Sequence, residues 1–579
     1  MNIDEFIGFS LQGEEFDEKV SRDWFEMYEY ILEDNAITIT DVKDTAFEKA
    51  EIPAQIMGYP VVAIGDSAFK NCHFKKIIIP NGVTSIEDSA FEDCFSLASI
   101  EIPNSVTSIG RGAFYGCRSL LNIELPDSVT SIEDATFEGC KSLTCLKLPN
   151  SVKTIGESAF YNCISLKNIL LPNGLTSIGS DAFNHCSELA EIVLPSSLTE
   201  LGSYAFCDCS SLVRADIPHG VKSIGHSTFQ ECLSLTDIVI PDSVTFISGE
   251  AFKDCISLTH LELPASVTDM GPSVFDGTPW MDVQLKEDPW VIVNNILIAA
   301  PQTPSVIVPD GVVSISGAFY NCTDITSISL PVSLETIGTS AFQGCTNLTE
   351  ITIPAGVTSI GYSAFKKCNN LKNIYLSGAL LKIDSFAFEY CNNLKCIELP
   401  AKVSSIGYSA FHGCSSLTDI VIPDSVTEIG EDAFDGTPWL KEQQKVSPYV
   451  IINGILINSR LFSGDITLPD GVTSIGERVF CGGDALTSIT LPNGLTTIGE
   501  FAFKCCENLT NIILPDSMTT IKEYAFAGCS SLKNITIPDS VKNIEKSSFS
   551  RCDDLVIHCI SGSFAEVYAK EHGISYVIK

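Results

Sequence analysis

Cysteine is the residue with most chemistry to offer in this 579-residue chain, which holds 23 of them. A thiolate is a nucleophile and a metal ligand, and a zinc site needs paired ligands such as C-x-x-C with a second pair elsewhere. The close pairs here are Cys505-Cys506 and Cys207-Asp-Cys209. Seventeen cysteines instead stand three residues after a recurring phenylalanine: nine from Cys72 to Cys255, five from Cys322 to Cys414, and Cys506, Cys529 and Cys552. Thr278, Thr437 and Gly483 hold that place in three units. A residue type fixed by repeat phase and facing inward behaves as a small buried hydrophobe. Successive turns lie close enough for disulfides, but ladders of odd number and parallel Cβ vectors suit them poorly. Free thiols in a reducing compartment are the expectation.

The 8 histidines, among them His73, His185, His226, His260 and His412, scatter over different phases of the repeat. None recurs at a ligand spacing, and no P-loop, G-x-S-x-G, H-E-x-x-H or dinucleotide fingerprint is present. The reading is non-enzymatic, with no catalytic residues, no metal site and no cofactor. Lys+Arg 35 against Asp+Glu 72 leaves a net charge of −37. That disfavours nucleic acid and anionic membranes and keeps a long array soluble. Met1-Asn-Ile-Asp-Glu-Phe6 carries no basic n-region and no apolar run follows it, so the chain as written reads as cytoplasmic, unless trimmed or exported by another route. No stretch reaches the roughly 20 apolar residues of a membrane span. Asn321-Cys-Thr and Asn347-Leu-Thr matter as glycosylation acceptors only in a secreted chain.

The elements that position all of this are repeats. Phe91 through Phe275 follow at intervals of 23, Phe319 through Phe434 likewise, and Phe480 through Phe549 again, which with Phe69 makes 20 units. In Leu97-Ala-Ser-Ile-Glu-Ile-Pro103 the alternation predicts a half-buried strand ended by proline. Val106-x-x-Ile109-Gly110 predicts a second short extended piece, with glycine permitting a turn. Ala113-Phe114-x-x-Cys117 predicts a single helical or 3₁₀ turn. Ile100, Ile102, Val106, Ile109, Ala113, Phe114 and Cys117 should point inward, a set that only stacking can bury. The fold class is therefore an α/β-type repeat solenoid, a leucine-rich repeat wound as a right-handed coil of short parallel strands and helical turns.

Units such as Leu417-Thr-Asp-Ile-Val-Ile-Pro-Asp-Ser-Val-Thr-Glu-Ile-Gly-Glu-Asp-Ala-Phe434 resemble the BspA-like leucine-rich repeats. In commoner leucine-rich repeats an Asn or Cys follows the strand. Here Ser105, Ser128 and Gly174 hold that place and the recurrent Cys precedes the strand. The resemblance implies a surface adhesin for host or matrix ligands as an alternative function, and a helix and strand closing the last turn.

The expected organisation is an N-terminal helical and strand cap at 1–50, repeats at 51–276, a degenerate repeat with a hairpin insert at 277–306, repeats at 307–435, a second insert at 436–466, repeats at 467–555 and a C-terminal cap at 556–579. Within the first cap, 16–32 has near-helical spacing and Ala36–Thr40 reads as a strand. Gly277-Thr-Pro-Trp280 recurs as Gly436-Thr-Pro-Trp439, and Asn294-Asn295 and Asn453-Gly454 between apolar runs signal two-residue hairpins. Each insert should keep the stack in register. Trp280 and Trp439 are candidate anchors for a partner.

What remains is the variable strand face. The residues flanking the middle apolar position should point outward. They include Glu101, Glu124, Asn168, Leu170, Glu191, Val193, Arg214, Asp237, Val239, His260 and Glu262, then Glu350, Tyr375, Asp419 and Val421. A face mixing apolar and acidic positions suits protein recognition. The expected function is a monomeric scaffold that binds another protein along this face. A glycan-binding accessory module is the last alternative, since it calls for aromatic-lined clefts.

Overall fold

The computed structural model describes residues 27–43, 48–459 and 463–579. Each coil contributes two short strands and a turn segment. Ser99–Glu101 pairs in parallel with Lys76–Ile78 of the coil before it, and Ser108–Ile109 with Ser85–Ile86. Repeated over about 23 turns, this builds two rows, a first-strand row and a second-strand row. Ile100, Val106, Ile109, Ala113, Phe114 and Cys117 are buried, and Ile102 is half-buried at the strand's exit. Contacts divide the chain into two compact units, one running to Thr268 and including Ser273–Glu287, the other made of Asp269–Pro272 and Asp288–Lys579.

The turn segment is neither helical nor 3₁₀, contrary to the expectation. Ser89, Phe91 and Asp93 send their amides forward to the carbonyls of Arg111, Ala113 and Tyr115 in the next coil at 2.7–2.8 Å. The alternate amides of Ala90, Glu92 and Cys94 bond locally to Glu87, Ser89 and Phe91. A 3₁₀ run would use every amide locally. Left-handed residues break that run, Ser89 and Asp93 both at φ 56, which explains the Ser, Asp, Asn and Gly around each phenylalanine. The glycine of each Ile-Gly pair has a different role from the turn expected of it. A Cβ on Gly110 would meet the backbone of Glu87 and Asp88 at 2.6 Å, so glycine there permits close approach of the preceding coil.

Stacking of the phenylalanines is the packing core. From Phe91 to Phe275, Phe319 to Phe434 and Phe480 to Phe549, successive rings lie 5.2–5.7 Å apart and within 12° of parallel. A tilted or edge-on aromatic ends each run: Tyr28 on Phe69 at the start, Trp280 on Phe275, Trp439 on Phe434, and Tyr568 on Phe549 at the end. The column cysteines do more than fill space. From Cys94 to Cys255, from Cys345 to Cys414, and at Cys506, Cys529 and Cys552, each Sγ donates at 3.0–3.2 Å to the carbonyl of a repeat phenylalanine one coil earlier. Burial pushes the thiols of Cys186 and Cys368 up to about 12. Serine bonds similarly: Ser105 Oγ donates to Val83 O at 2.7 Å, and Ser243 Oγ to Val221 O at 2.8 Å. It thus acts where commoner repeats place asparagine.

The first described residues overturn one expectation. Residues 28–33 form a strand, Tyr28–Glu33, antiparallel to Ala36–Val42; the remainder of the helical stretch at 16–26 lies outside the described residues. Tyr28, Tyr30 and Leu32 have the two-residue period of a strand, and Asp34 (φ 48) and Asn35 (φ 62) form the tight turn that selects a hairpin. The strand read at Ala36–Thr40 is present, and Ile39 pairs with Ile64 at the head of the second-strand row. At the other end a helix, Phe564–Glu571, buries Ala565, Tyr568 and Ala569, and Ser575–Ile578 pairs in parallel with Val556–Cys559.

Two true helices interrupt the repeats, α1 at Pro279–Glu287 and α2 at Pro438–Val446. Both start where threonine replaces the column cysteine. Thr278 Oγ1 donates to Phe275 O at 2.7 Å and accepts from the Met281 amide at 3.1 Å, and Thr437 repeats this with Phe434 and Leu440. A hydroxyl both donates and caps, as a thiol does weakly. The hairpins follow as read from Asn-Asn and Asn-Gly: Val291–Val293 with Ile296–Ala299, and Tyr449–Ile452 with Ile455–Ser459. Each begins a new second-strand row, Leu297 opposite Ile315 and Leu456 opposite Ile475. In the second unit, Asp269 ties its strand to two coils ahead, accepting from Ser316 Oγ and, at 3.1 Å, from Thr339 Oγ1.

Three outcomes test this packing. Phe160→Ala should cost about 3–5 kcal/mol, read as lost amide protection in the coils on either side. Iodoacetamide at pH 8 should label the exposed Cys145, Cys396 and Cys505 in the native chain and reach the columns only after denaturation; labelled columns in the native chain would contradict the buried ladder. Burial raises the Asp269 carboxyl above its ordinary range, more than its hydrogen bonds lower it. The folded chain then holds that proton more tightly than the unfolded one, so stability falls as pH rises through the raised range. In Asp269→Asn that part of the pH dependence of the unfolding midpoint should vanish.

Candidate functional site

The first-strand row has the period that sequence reasoning requires of a face. Lys147 stands opposite Leu170, Arg214 opposite Asp237 and Asp216 opposite Val239, and a single bridge links Glu191 to Arg214. In these strands the middle residue is buried, or half-buried as Ile328 is, and its neighbours point out, because side chains alternate. Val193 is 82% exposed, Leu170 62%, Tyr375 58% and Val421 53%; Val239 is exposed as well. Glu101, Glu124, Asn168, Glu191, Asp237, His260, Glu262, Glu350 and Asp419 are exposed on the same face. The site residues named from sequence within each unit thus share one row.

Two outward apolar residues escaped the sequence reading. Ile307 is 76% exposed and Ile513 70%, both at the third position of a first strand. The alternation that identified Val421 applies to them without change. In the first unit Leu170 and Val193 occupy the same position in successive coils, followed by Asp216 and then Val239. This makes a short apolar stripe with acids along it.

Ion pairs on the face are exposed. Arg214 reaches Asp216 through Nε at 2.9 Å and Nη2 at 3.0 Å, and leans toward Asp237 at 3.7 Å. Lys76 pairs with Glu101 at 2.5 Å and His260 with Glu262 at 3.8 Å. Pairs of this kind stabilise by about 0–1 kcal/mol. They order the side chains a partner would meet more than they hold the fold. Trp280 and Trp439 are half-buried rather than presented, each ring 4.9 Å from the phenylalanine that ends its column.

The arrangement offers shape and charge. Among the described residues no three His, Cys, Asp or Glu side chains come together as a metal-binding group, and no helix is long and apolar enough to cross a membrane. The nearest approach to an acid–base pair is His185 Nδ1 at 2.7 Å from Asp208, with Tyr161 edge-on to the ring. No nucleophile stands in line with it among the described contacts.

Three solved structures are similar to this chain. A leucine-rich repeat protein from Bacteroides ovatus is 27% identical, with 71% of this chain and 91% of that one covered at a TM-score of 0.31. A leucine rich cell surface protein from Faecalibacterium prausnitzii is 28% identical, with 68% and 93% covered and a TM-score of 0.31. A T. pallidum leucine-rich-repeat protein is 30% identical over 40% of this chain and 88% of its own, with a TM-score of 0.26. No curated protein matches the sequence. The profile described as "BspA type Leucine rich repeat region (6 copies)" matches residues 40–167, 153–282, 314–441 and 457–570. Matched through most of its length on the units that carry the stacked phenylalanines, the chain belongs to the BspA-type leucine-rich-repeat family.

Proposed function

We propose that this chain is a non-enzymatic scaffold that captures a protein partner on its first-strand face. The observation that supports this most is the exposure of Leu170 and Val193 at the same position of adjacent coils. Exposed aliphatic side chains on a row that solvation alone would fill with polar residues favour a contact surface. The acids around them, Glu191, Asp216 and Asp237, suit a partner with an apolar centre and basic rim. Repeat arrays present such surfaces because each coil adds two or three variable positions without disturbing its neighbours.

A double substitution Leu170→Asp with Val193→Asp should weaken capture of the partner from native lysate at least about tenfold, the equivalent of 1.4 kcal/mol, with coil stacking unchanged by circular dichroism. Unaltered capture would remove the site. The adhesin reading stands second. It requires export, and fractionation with protease treatment of whole cells decides it: protein confined to the cytosol excludes that role.

A further inference from the structure

The turn row of the second unit contains a gap one coil wide. Up to the second insert the forward bonding is regular: the amides of Ser409, Phe411 and Gly413 donate to Glu431 O, Ala433 O and Asp435 O at 2.7–2.9 Å. In the next step it stops. The amides of Asp432, Phe434 and Gly436 make no such bond among the described residues. Across from them, two periods on, the carbonyls of Glu477, Val479 and Cys481 accept none. A donor row thus faces an acceptor row, and neither reaches the other.

The chain between them explains why. The hairpin's second strand occupies the intervening place in the second-strand row: Leu456 pairs with Ile475, and Asn453 Nδ2 donates to Pro423 O (2.8 Å) and Val426 O (3.1 Å) of the coil before. That intervening coil is short. From Leu456 to Ile466, the next buried strand residue, is ten positions, where Ile109 to Ile123 is fourteen. It is four residues shorter, and the strand beside it holds its neighbours about two strand spacings apart, roughly 9–10 Å. Inside, Trp439 takes the ring position beside Phe434, so the gap lies at backbone level. It is a cavity of ≈ 190 Å³ floored by Leu440 and Ile457. That is smaller than a cofactor pocket and comparable to a few residues of main chain.

Its walls are acidic. Glu431, Asp432, Asp435 and Glu477 line it with one cation, Arg478, whose Nε already pairs with Glu431 at 3.3 Å. Burial, with like charges close by, raises the carboxyls of Glu431 and Asp432.

We propose that this slot receives a short extended segment of a partner protein carrying lysine or arginine, its carbonyls meeting the amides of Asp432, Phe434 and Gly436 and its amides meeting the carbonyls of Glu477, Val479 and Cys481. Main-chain bonds on both edges give affinity, as when a strand is added to an open sheet edge, and the carboxylates select charge. The slot lies on the turn row and stands or falls separately from the first-strand face.

Hydrogen exchange on the full chain with synthetic hexapeptides tests it. Without peptide, the amides of Asp432, Phe434 and Gly436 should exchange at least about tenfold faster than those of Ser409, Phe411 and Gly413. Acetyl-Ala-Ala-Lys-Lys-Ala-Ala-amide should slow them to the rate of the earlier coil. The Glu-Glu isomer and a backbone N-methylated Lys-Lys peptide should not, and Asp435→Asn with Glu477→Gln should lose the effect of the Lys-Lys peptide while native spectra persist. Equal protection by the N-methylated peptide would show charge attraction alone and overturn the slot. So would no protection by any peptide, or three amides already slow in the free chain.

Discussion

Parallel stacking of one phenylalanine per coil is the interaction on which everything else depends. A 23-residue coil has two strands of two or three residues and no interior of its own. Its ring, its thiol and its four or five aliphatic side chains become buried only when the next coil covers them. Rings stacked within 12° of parallel at 5.2–5.7 Å match the strand spacing of about 4.8 Å with a small lateral offset, the arrangement aromatic faces prefer. This match keeps both strand rows in register and holds the outward residues of the first-strand row at fixed intervals. The outward face is a by-product of the column behind it.

Where a column ends at one of the two inserts, the chain changes residue type in an ordered way. Threonine replaces cysteine, a helix begins, and tryptophan covers the last ring obliquely. The thiol and the hydroxyl share a task, since both donate to a phenylalanine carbonyl. The hydroxyl also accepts strongly enough to cap a helix. One substitution therefore converts a turn that continues the stack into a helix that leaves it. Sequence reasoning placed both tryptophans correctly at the joints and offered them as exposed anchors. The structure gives their rings a neighbour inside the molecule.

The parts that were legible depend on periodicity. Phenylalanine spacing alone locates the coils, and the alternation Leu-x-x-Ile-x-Ile divides inward from outward positions well enough to identify Leu170, Val193 and Tyr375. The parts that were not legible depend on bonds between coils. A helical turn and the observed turn segment both suit Ala-Phe-x-x-Cys; only the forward amide bonds and the left-handed Ser89 and Asp93 separate them. The cysteine's preference over valine or alanine requires knowing that a carbonyl waits one coil earlier. At Tyr28–Leu32, large apolar residues at every second position satisfied a helical and a strand pattern alike over so short a stretch, and the Asp34-Asn35 turn decided it.

The same reasoning says where specificity belongs in such an array. Within a block, alternate amides of the turn segment are bonded to the next coil, so recognition there falls to side chains. At an interruption the commitment lapses on one side. Unpaired backbone groups shielded from solvent are costly, and a fold keeps them only where water or another chain completes them. In the coil before the first hairpin, the half-buried carboxylate of Asp269 bridges to Ser316 and Thr339. At the same position of the second joint stands Glu428, which is exposed, and there Arg478 meets Glu431 at 3.3 Å. Two copies of one insert, sharing the Gly-Thr-Pro-Trp signature, thus differ in the side chains that surround the break.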